Sequence, residues 1–193
     1  MSRAYRISVS ESISRIVRAE DGVSADLDLL PILAPERMQS LLATELERQG
    51  FVRQGSEGGA DRMVRVDPDG VRIEVDLGAG TVHVSIEGER DVAVEGQREA
   101  WGAKPDDDVT KEAARRALRQ QLEGQIDRKE QELSAELADK LEARLRELRG
   151  ELDRAVTRVT QEALKERAAQ IGEVREISED PATGSLTIRV KLG

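Results

Sequence analysis

The chain has 193 residues, with no cysteine and a formal net charge of −9. The absence of cysteine excludes disulfides and thiolate metal sites, and it fits a reducing cytoplasm, where we expect the protein to reside. The acidic balance argues against nucleic acids and anionic membrane surfaces as partners, and no apolar run in the sequence is long enough to span a bilayer.

The first predicted region is a small α+β domain over residues 1–101. Apolar residues alternate with polar ones from Tyr5 to Val17, which is the period of a β-strand. Residues 20–22, Glu-Asp-Gly, have the composition of a turn. Because the alternation resumes at Val23 and continues to Leu29, we expect the two strands to form a hairpin.

A helix and a β-meander complete this first region. Pro35 suits the first turn of a helix, and Gly50 suits its C-terminal cap. After a glycine-rich loop at residues 56–60, apolar and polar residues alternate again, which predicts an antiparallel sheet with one solvated face. The predicted strands lie at residues 63–66, 71–77 and 82–86, with a further short one at 92–94.

The second region, residues 102–171, is predicted to be one long amphipathic helix that begins near Pro105. It contains an apolar stripe, and from Leu137 onward the stripe has an eleven-residue repeat. Such a repeat predicts a nearly straight helix and not the left-handed supercoil of a heptad zipper. A helical hairpin opening at Gly150 remains the alternative, although the stripe keeps its phase across that glycine.

The apolar stripe is the predicted oligomer interface. A helix that is polar over most of its circumference gains stability when its apolar stripe is buried. We therefore expect the helix to pair with a second copy as a coiled-coil homodimer, or with a coiled coil of another protein. The predicted interface residues are Leu118, Leu122, Ile126, Leu133, Leu137, Leu141, Leu145, Leu148, Leu152, Val156 and Val159.

The third region, residues 172–193, is predicted to be a C-terminal β-hairpin. Gly172 ends the helix, and residues 180–184 form a turn sequence. Apolar residues then alternate from Leu186 to Leu192. Because two strands alone are only marginally stable in water, we expect this hairpin to dock on another surface.

Two stretches near the C-terminus form a pattern that is found in a known family. The junction Ile171-Gly172-Glu173-Val174 follows a charged helix, and residues 180–188 read DPATGSLTI. This pattern resembles accessory domain proteins of the bacterial FtsH ternary conflict systems, which are small domains encoded beside an AAA+ protease. The resemblance implies a non-enzymatic component of a multi-protein antiviral defence assembly, and it carries over no functional residues.

Few residues are candidates for chemistry. His83 is the only histidine, and its place between Val82 and Val84 predicts a solvent-facing strand position. The sequence contains no phosphate-binding loop, no nucleophile-elbow serine motif and no His/Cys cluster for zinc. We therefore expect no catalytic residue, cofactor, metal site or small-molecule substrate.

Three functions are compatible with these patterns. The first is an interaction or scaffold protein that oligomerises through the long helix. The second is an adaptor for an AAA+ protease or chaperone, which would engage its partner through the same helix. The third is a carboxylate-dependent enzyme, for which Glu74, Asp76 and His83 are the candidate residues.

Overall fold

A computed structural model describes residues 4–55, 61–180 and 185–191, and it confirms the predicted α+β fold. Five strands form one sheet in the order β1-β5-β4-β3-β2, and the last two strands form a separate sheet. In chain order the elements are β1 (Tyr5–Asp26), α1 (Pro35–Arg48), β2 (Val52–Gly55), β3 (Asp61–Val66), β4 (Val71–Asp76), β5 (Thr81–Gly102), α2 (Asp108–Ile171), β6 (Glu173–Asp180) and β7 (Ser185–Lys191). The predicted loop at residues 56–60, most of the turn at 180–184, and Leu192 lie outside the described residues.

The chain divides into two compact units. The first unit contains Met1–Asp21 and Glu87–Asp139, and the second contains Gly22–Ile86 and Lys140–Gly193. Three elements, β1, β5 and α2, run from one unit into the other. Each unit therefore has its own part of the main sheet and its own part of the long helix.

The core of the first unit lies between β1, β5 and the N-terminal half of α2. Ile7 and Val9 of β1 are buried together with Ala114, Leu118 and Leu122 of α2. These positions have a period of two on the strand and of about four on the helix, so each element turns one apolar face to the other. The apolar stripe of α2 is thus covered here by strands of the same chain.

Glycines of β5 allow the leucines of α2 to approach the sheet closely. A Cβ atom on Gly96 would lie 3.1 Å from Leu118 Cδ1 and 3.2 Å from Leu122 Cδ2. A Cβ atom on Gly88 would lie 3.1 Å from Leu137 Cδ2. These glycines do not end a strand, because β5 is continuous over Thr81–Gly102, where the sequence predicted two separate strands.

The Gly96 contact predicts a loss of stability when a side chain is added. We expect Gly96→Val to lower the free energy of unfolding by about 1–3 kcal/mol, because the new methyl groups would overlap the two leucines. Gly124→Ala is the control, since a Cβ there meets nothing within 4 Å and helix propensity alone should add up to about 1 kcal/mol. Urea denaturation measures both changes, and a Gly96→Val protein as stable as the wild type would contradict the close packing.

The predicted hairpin over residues 5–29 is wrong. The strand β1 continues through residues 20–22 to Asp26 without a turn. A Cβ atom on Gly22 would lie 3.2 Å from the Val84 carbonyl oxygen and 3.3 Å from Ser85 Cβ. Gly22 therefore permits close approach of the neighbouring strand, which is a different use of glycine from the positive φ of a turn.

The second unit contains the antiparallel meander and helix α1. Strands β3, β4 and β5 pair in sequence, with Met63 opposite Val75 and Glu74 opposite His83. The chain turns before β4 at Gly70, whose φ is +83°, and the predicted end of α1 is confirmed by Gly50, whose φ is +84°. On α1, the buried positions repeat every four residues, at Met38, Leu42 and Leu46.

Helix α2 is continuous from Asp108 to Ile171 and contains Gly150, so the alternative of a helical hairpin is wrong. The Asp107 carboxylate accepts hydrogen bonds from the Thr110 backbone N–H at 3.4 Å and from the Thr110 hydroxyl at 3.0 Å. These bonds satisfy donors that a helix N-terminus leaves open. None of the helices in the described parts of the chain combines the length and the hydrophobicity needed to cross a bilayer.

The predicted C-terminal hairpin is confirmed as β6 and β7. Val174 lies opposite Val190, and Ile177 lies opposite Ile188, with an irregularity between Val174 and Glu176. The face that these pairs share is apolar, yet Ile177 is 45% exposed.

Candidate functional site

The predicted oligomer interface lies mostly inside the chain's own core. Nine of its eleven residues are buried in the single chain, and the two exceptions, Leu145 and Val156, are half-buried. The buried residues are Leu118, Leu122, Ile126, Leu133, Leu137, Leu141, Leu148, Leu152 and Val159. The need for a partner to cover the stripe therefore applies only to Leu145 and Val156.

Leu145 and Val156 line an open groove of about 750 Å³ in the second unit. One wall is the stretch of α2 from residue 142 to residue 157, and the other is the end of β1 with the residues that follow it, 23–28. Val82 and Val84 of β5 also line the groove and are buried, whereas Val23 is 41% exposed. The groove is thus an apolar cleft beside the edge strand of the sheet.

Charged side chains border this apolar cleft. The helix wall has acidic residues at both ends and two arginines between them, and the strand wall contributes two aspartates. These residues are Glu142, Arg146, Arg149 and Asp153 on the helix and Asp26 and Asp28 on the strand side. An apolar centre with a charged border is the usual composition of a protein–protein docking surface.

A compact ion-pair cluster lies elsewhere in the second unit. Arg65 of β3 contacts Asp67 at 3.0 Å and Glu151 of α2 at 2.8 Å, and Arg144 of α2 contacts Glu151 at 3.0 Å and also Asp67. The Arg65 guanidinium lies 4.7 Å from the centre of the Phe51 ring. The four charged side chains are between 11% and 28% exposed, so each charge is stabilised mainly by its ion-pair partners and little by water.

The pKa of each α2 member of this cluster follows from its partners. Burial is the largest single influence and works to raise the pKa of Glu151, but the hydrogen bonds and the positive charges of Arg65 and Arg144 together outweigh it and hold the pKa below the ordinary value. Burial likewise works to lower the pKa of Arg144, but its hydrogen bonds to Glu151 and Asp67 and their negative charges together outweigh that effect, so the pKa is raised. Both groups are charged at neutral pH and stabilise the fold in that form.

The lowered pKa of Glu151 predicts an acid-dependent loss of stability. Because the folded-state pKa lies below the unfolded one, the contribution is fully present above the ordinary glutamate pKa of 4.5 and is lost as the pH falls through the folded-state pKa. We expect the difference in unfolding free energy between wild type and Glu151→Gln to be constant from pH 7 to about pH 5 and to shrink below that. Urea denaturation across this range measures the difference, and a gap that stays constant to pH 3 would contradict the assignment.

The three residues considered for carboxylate-dependent catalysis lie on the exposed face of the sheet, and the prediction for His83 is confirmed. His83 Nδ1 lies 2.9 Å from the Ser24 hydroxyl oxygen, and Glu74 is the cross-strand neighbour of His83. The Glu74 carboxylate accepts a hydrogen bond from Arg72 Nε at 2.7 Å. Asp76 does not join this row, because its carboxylate accepts the backbone N–H groups of residues 78 and 79.

The row formed by Ser24, His83 and Glu74 offers little of what catalysis needs. Ser24 and His83 are both exposed, and general acid–base chemistry gains most from positioned groups in an enclosed, water-poor site. Within the described ranges, no group of three histidine or carboxylate side chains is arranged to hold a metal ion. The groove therefore remains the better candidate for a functional site.

Sequence reasoning missed the strand wall of the groove and the ion-pair cluster. The alternation at residues 23–29 predicted a strand, but the assumed turn placed it in a hairpin. The only sequence signal for the cluster is the spacing of Arg144 and Glu151, which puts them two turns apart on the same side of a helix. Nothing in that spacing identifies Arg65 and Asp67 as their partners.

The comparison with protein families agrees with the resemblance found near the C-terminus. The family model described as FtsH ternary system domain X5 matches residues 1–192. No curated protein matches the sequence, and no solved structure matches it. Because the family model extends over both compact units and the C-terminal hairpin, the chain belongs to the FtsH ternary system domain X5 family.

Proposed function

We propose that this chain is a non-enzymatic interaction and scaffold component of a bacterial conflict system. We further propose that it self-associates through the groove between α2 and the end of β1. The observation that supports the proposal is the groove, where Leu145, Val156 and Val23 leave apolar surface uncovered beside a charged border. Contiguous exposed apolar surface of this kind is characteristic of interaction sites. The family assignment supplies the biological setting.

Self-association is tested by the molar mass of the full chain in solution. We expect light scattering at micromolar concentration to give twice the chain mass of 21.3 kDa for the wild type. Val156→Glu places a carboxylate in the groove and should give the single-chain mass, because an unpaired charge is costly to bury in an interface. Leu164→Glu is the control, since Leu164 is 39% exposed on α2 and does not line the groove. A wild type that stays monomeric would contradict the proposal.

An adaptor role toward an AAA+ protease would use the same groove for a helix of another protein. It is tested by co-purifying the chain with the products of its neighbouring genes. Under the adaptor role, the protease is retained by the wild type and lost with Val156→Glu. If the wild type and Val156→Glu both retain the protease, the groove is excluded as the adaptor surface.

The enzymatic alternative is tested by removing its residues together. The triple change Glu74→Gln, Asp76→Asn and His83→Ala should leave function in the host unchanged if the protein acts as a scaffold. Loss of function in a triple variant that keeps the wild-type circular dichroism spectrum and molar mass would favour the enzymatic reading.

A further inference from the structure

Strand β1 is an edge strand of the main sheet, and it lacks the usual features that keep an edge from pairing with another strand. Within the described part of the chain, β1 pairs with β5 on one side and with no strand on the other. It is 22 residues long and contains neither proline nor lysine, whereas exposed edges are usually short or interrupted by such residues. Its outer backbone N–H and C=O groups therefore offer a template for a further strand.

The part of β1 that belongs to the first unit, residues 5–21, has four charges at symmetric intervals. These residues are Arg6, Glu11, Arg15 and Glu20, at steps of five, four and five along the strand. Their signs read base, acid, base, acid, and the reversed order reads acid, base, acid, base. When the segment is turned end to end about Ile13, each of these arginines therefore lies opposite a carboxylate.

We infer that the free edge of β1 pairs with the same edge of a second copy, antiparallel and about a two-fold axis at Ile13. In an antiparallel pair, residues at equal distances from the axis lie opposite each other with their side chains on the same face of the sheet. Glu11 of each copy would then lie opposite Arg15 of the other, and Arg6 opposite Glu20. This contact is separate from the groove and goes beyond it, because two different contacts allow copies to assemble beyond a dimer.

The same register also matches the apolar residues. On the face toward α2, where Val9 and Val17 are buried, Val9 would lie opposite Val17, and Ile13 opposite the Ile13 of the other copy. An axis one residue earlier would set Arg6 opposite Arg18, and an axis one residue later would set none of the charges opposite each other. A parallel pair would place each charge beside its own counterpart, which like-charge repulsion disfavours.

Two of the four charges lack a counter-charge in their own chain. Among the residues that the structure describes, Arg15 pairs with no carboxylate and Glu20 pairs with no cation, and both are exposed. Glu11 has only long contacts, at 3.5 Å to Arg119 and 3.9 Å to Arg115. Charges on the α2 side of an edge strand normally deter a foreign strand. Here they are complementary to the same strand of a second copy, which makes the edge selective for itself.

The layer beside the sheet has room for both copies of α2. In the first unit α2 lies over β1 and β5, with Leu118 and Leu122 against Gly96 of β5. Joining the two β1 edges would set the two pairs of strands about 10 Å apart, which is two strand spacings. Because helices pack side by side at about 8–10 Å, the two copies of α2 would lie next to each other without overlap.

The test uses the full chain with Val156→Glu, which blocks the groove, so that its outcome does not depend on the groove. The apolar residues of the edge are already buried in each copy, so the contact gains little new burial, and we expect a dissociation constant on the order of 100 µM. Sedimentation equilibrium should therefore show single chains at low micromolar concentration and pairs near the millimolar range. A folded Val156→Glu protein that stays monomeric up to about 1 mM would overturn the inference, whereas groove association of the wild type would still stand.

Charge reversal tests the register. In the Val156→Glu background, Arg15→Glu and Glu20→Arg should each raise the dissociation constant about tenfold, because each places like charges opposite one another twice in a dimer. Arg116→Glu is the control, since Arg116 is exposed on α2 and not on the edge strand, and it should leave the constant unchanged. Circular dichroism establishes that each variant is folded. A dissociation constant that neither edge variant changes would overturn the pairing.

A second substitution should rescue Glu20→Arg. Adding Arg6→Glu restores opposite charges between the copies and should return the dissociation constant to within about threefold of the background protein. Arg6 also pairs with Glu99 in its own chain, but Arg6→Glu alone and the double variant both lose that pair. Rescue therefore reports on the contact between copies, and a double variant no better than Glu20→Arg alone would contradict the register.

Cysteine cross-linking tests the orientation, because the native chain has no cysteine. Ser10 and Ile16 are exposed and lie three residues on either side of Ile13. When mixed, the Ser10→Cys and Ile16→Cys proteins should form a disulfide on mild oxidation, since opposite residues of paired strands lie within disulfide reach. Neither should cross-link alone, because equivalent positions would be about 20 Å apart. Efficient cross-linking of Ser10→Cys alone would indicate parallel strands and would overturn the inference.

Discussion

Replacing Arg144 with methionine is expected to lower the free energy of unfolding by about 2–3 kcal/mol. The change removes a guanidinium that is 15% exposed and leaves the carboxylates of Asp67 and Glu151 with Arg65 as their remaining cationic partner in the cluster. Breaking a buried ion pair from one side is costly because the partner charge stays buried while it loses its counter-charge. Urea denaturation at neutral pH measures the loss.

Lys129→Met is the matched control for this prediction. Lys129 lies on the same helix outside the groove and pairs with Glu132 at 2.7 Å, but its side chain is 49% exposed. An exposed pair three residues apart on a helix contributes no more than about 0.5 kcal/mol. Equal losses from the two substitutions would show that the cluster of Arg144 contributes nothing beyond an ordinary surface ion pair.

Replacing Leu122 with alanine is expected to lower the free energy of unfolding by about 3 kcal/mol at every protein concentration. Leu122 is fully buried in the single chain, in the core that contains Ile7 and Val9. Truncation would leave a cavity between α2 and the sheet, and that cost arises inside one chain. Thermal denaturation over a hundredfold range of protein concentration measures the loss and its concentration dependence.

Concentration dependence is the decisive readout for Leu122. Because self-association through the groove would itself raise the wild-type melting temperature with concentration, the readout is the difference between wild type and variant, which would vary with concentration if Leu122 packed against a second copy. Leu164→Ala serves as the control, because Leu164 is 39% exposed and should lose less than about 1 kcal/mol. A concentration-dependent effect at Leu122 would contradict the burial of the stripe within the chain.

The long helix could be predicted from the sequence because its signals are local. The apolar stripe keeps its phase across Gly150, and carboxylates gather at the N-terminus of the helix. What covers the stripe is a different question, because an apolar stripe looks the same whether a strand or a second helix lies against it. The strands of the first unit cover much of it, and Gly88 and Gly96 of β5 let the leucines of α2 pack closely against the sheet.

Glycine caused the main errors in the predicted sheet. Gly22 and Gly88 both stand among strand residues, where the sequence predicted a turn or the end of a strand. Glycine favours turns because it accepts positive φ, but it also allows a neighbouring chain to approach where a Cβ would clash. At Gly70 the first reason applies, since its φ is +83°, and at Gly22 the second applies. The local sequence does not distinguish the two.

The groove could not be predicted from the sequence because its two walls are far apart in the chain. Leu145 and Val156 belong to the stripe and were expected to face a partner, whereas Val23 was assigned to a hairpin. Their exposure has a common cause, since all three line the same open groove beside the edge strand β1. Sequence periodicity identifies an apolar face but not the part of it that the fold leaves open.

The most direct test of the groove as the meeting surface of two copies is the labelling rate of a single cysteine. Val23→Cys places a thiol in the groove, and Val52→Cys, at a position that is 70% exposed on β2 outside the groove, serves as the control. We predict that labelling at position 23 slows markedly as the protein concentration rises, while labelling at position 52 stays constant. Rates at both positions that stay unchanged up to the solubility limit would contradict the account.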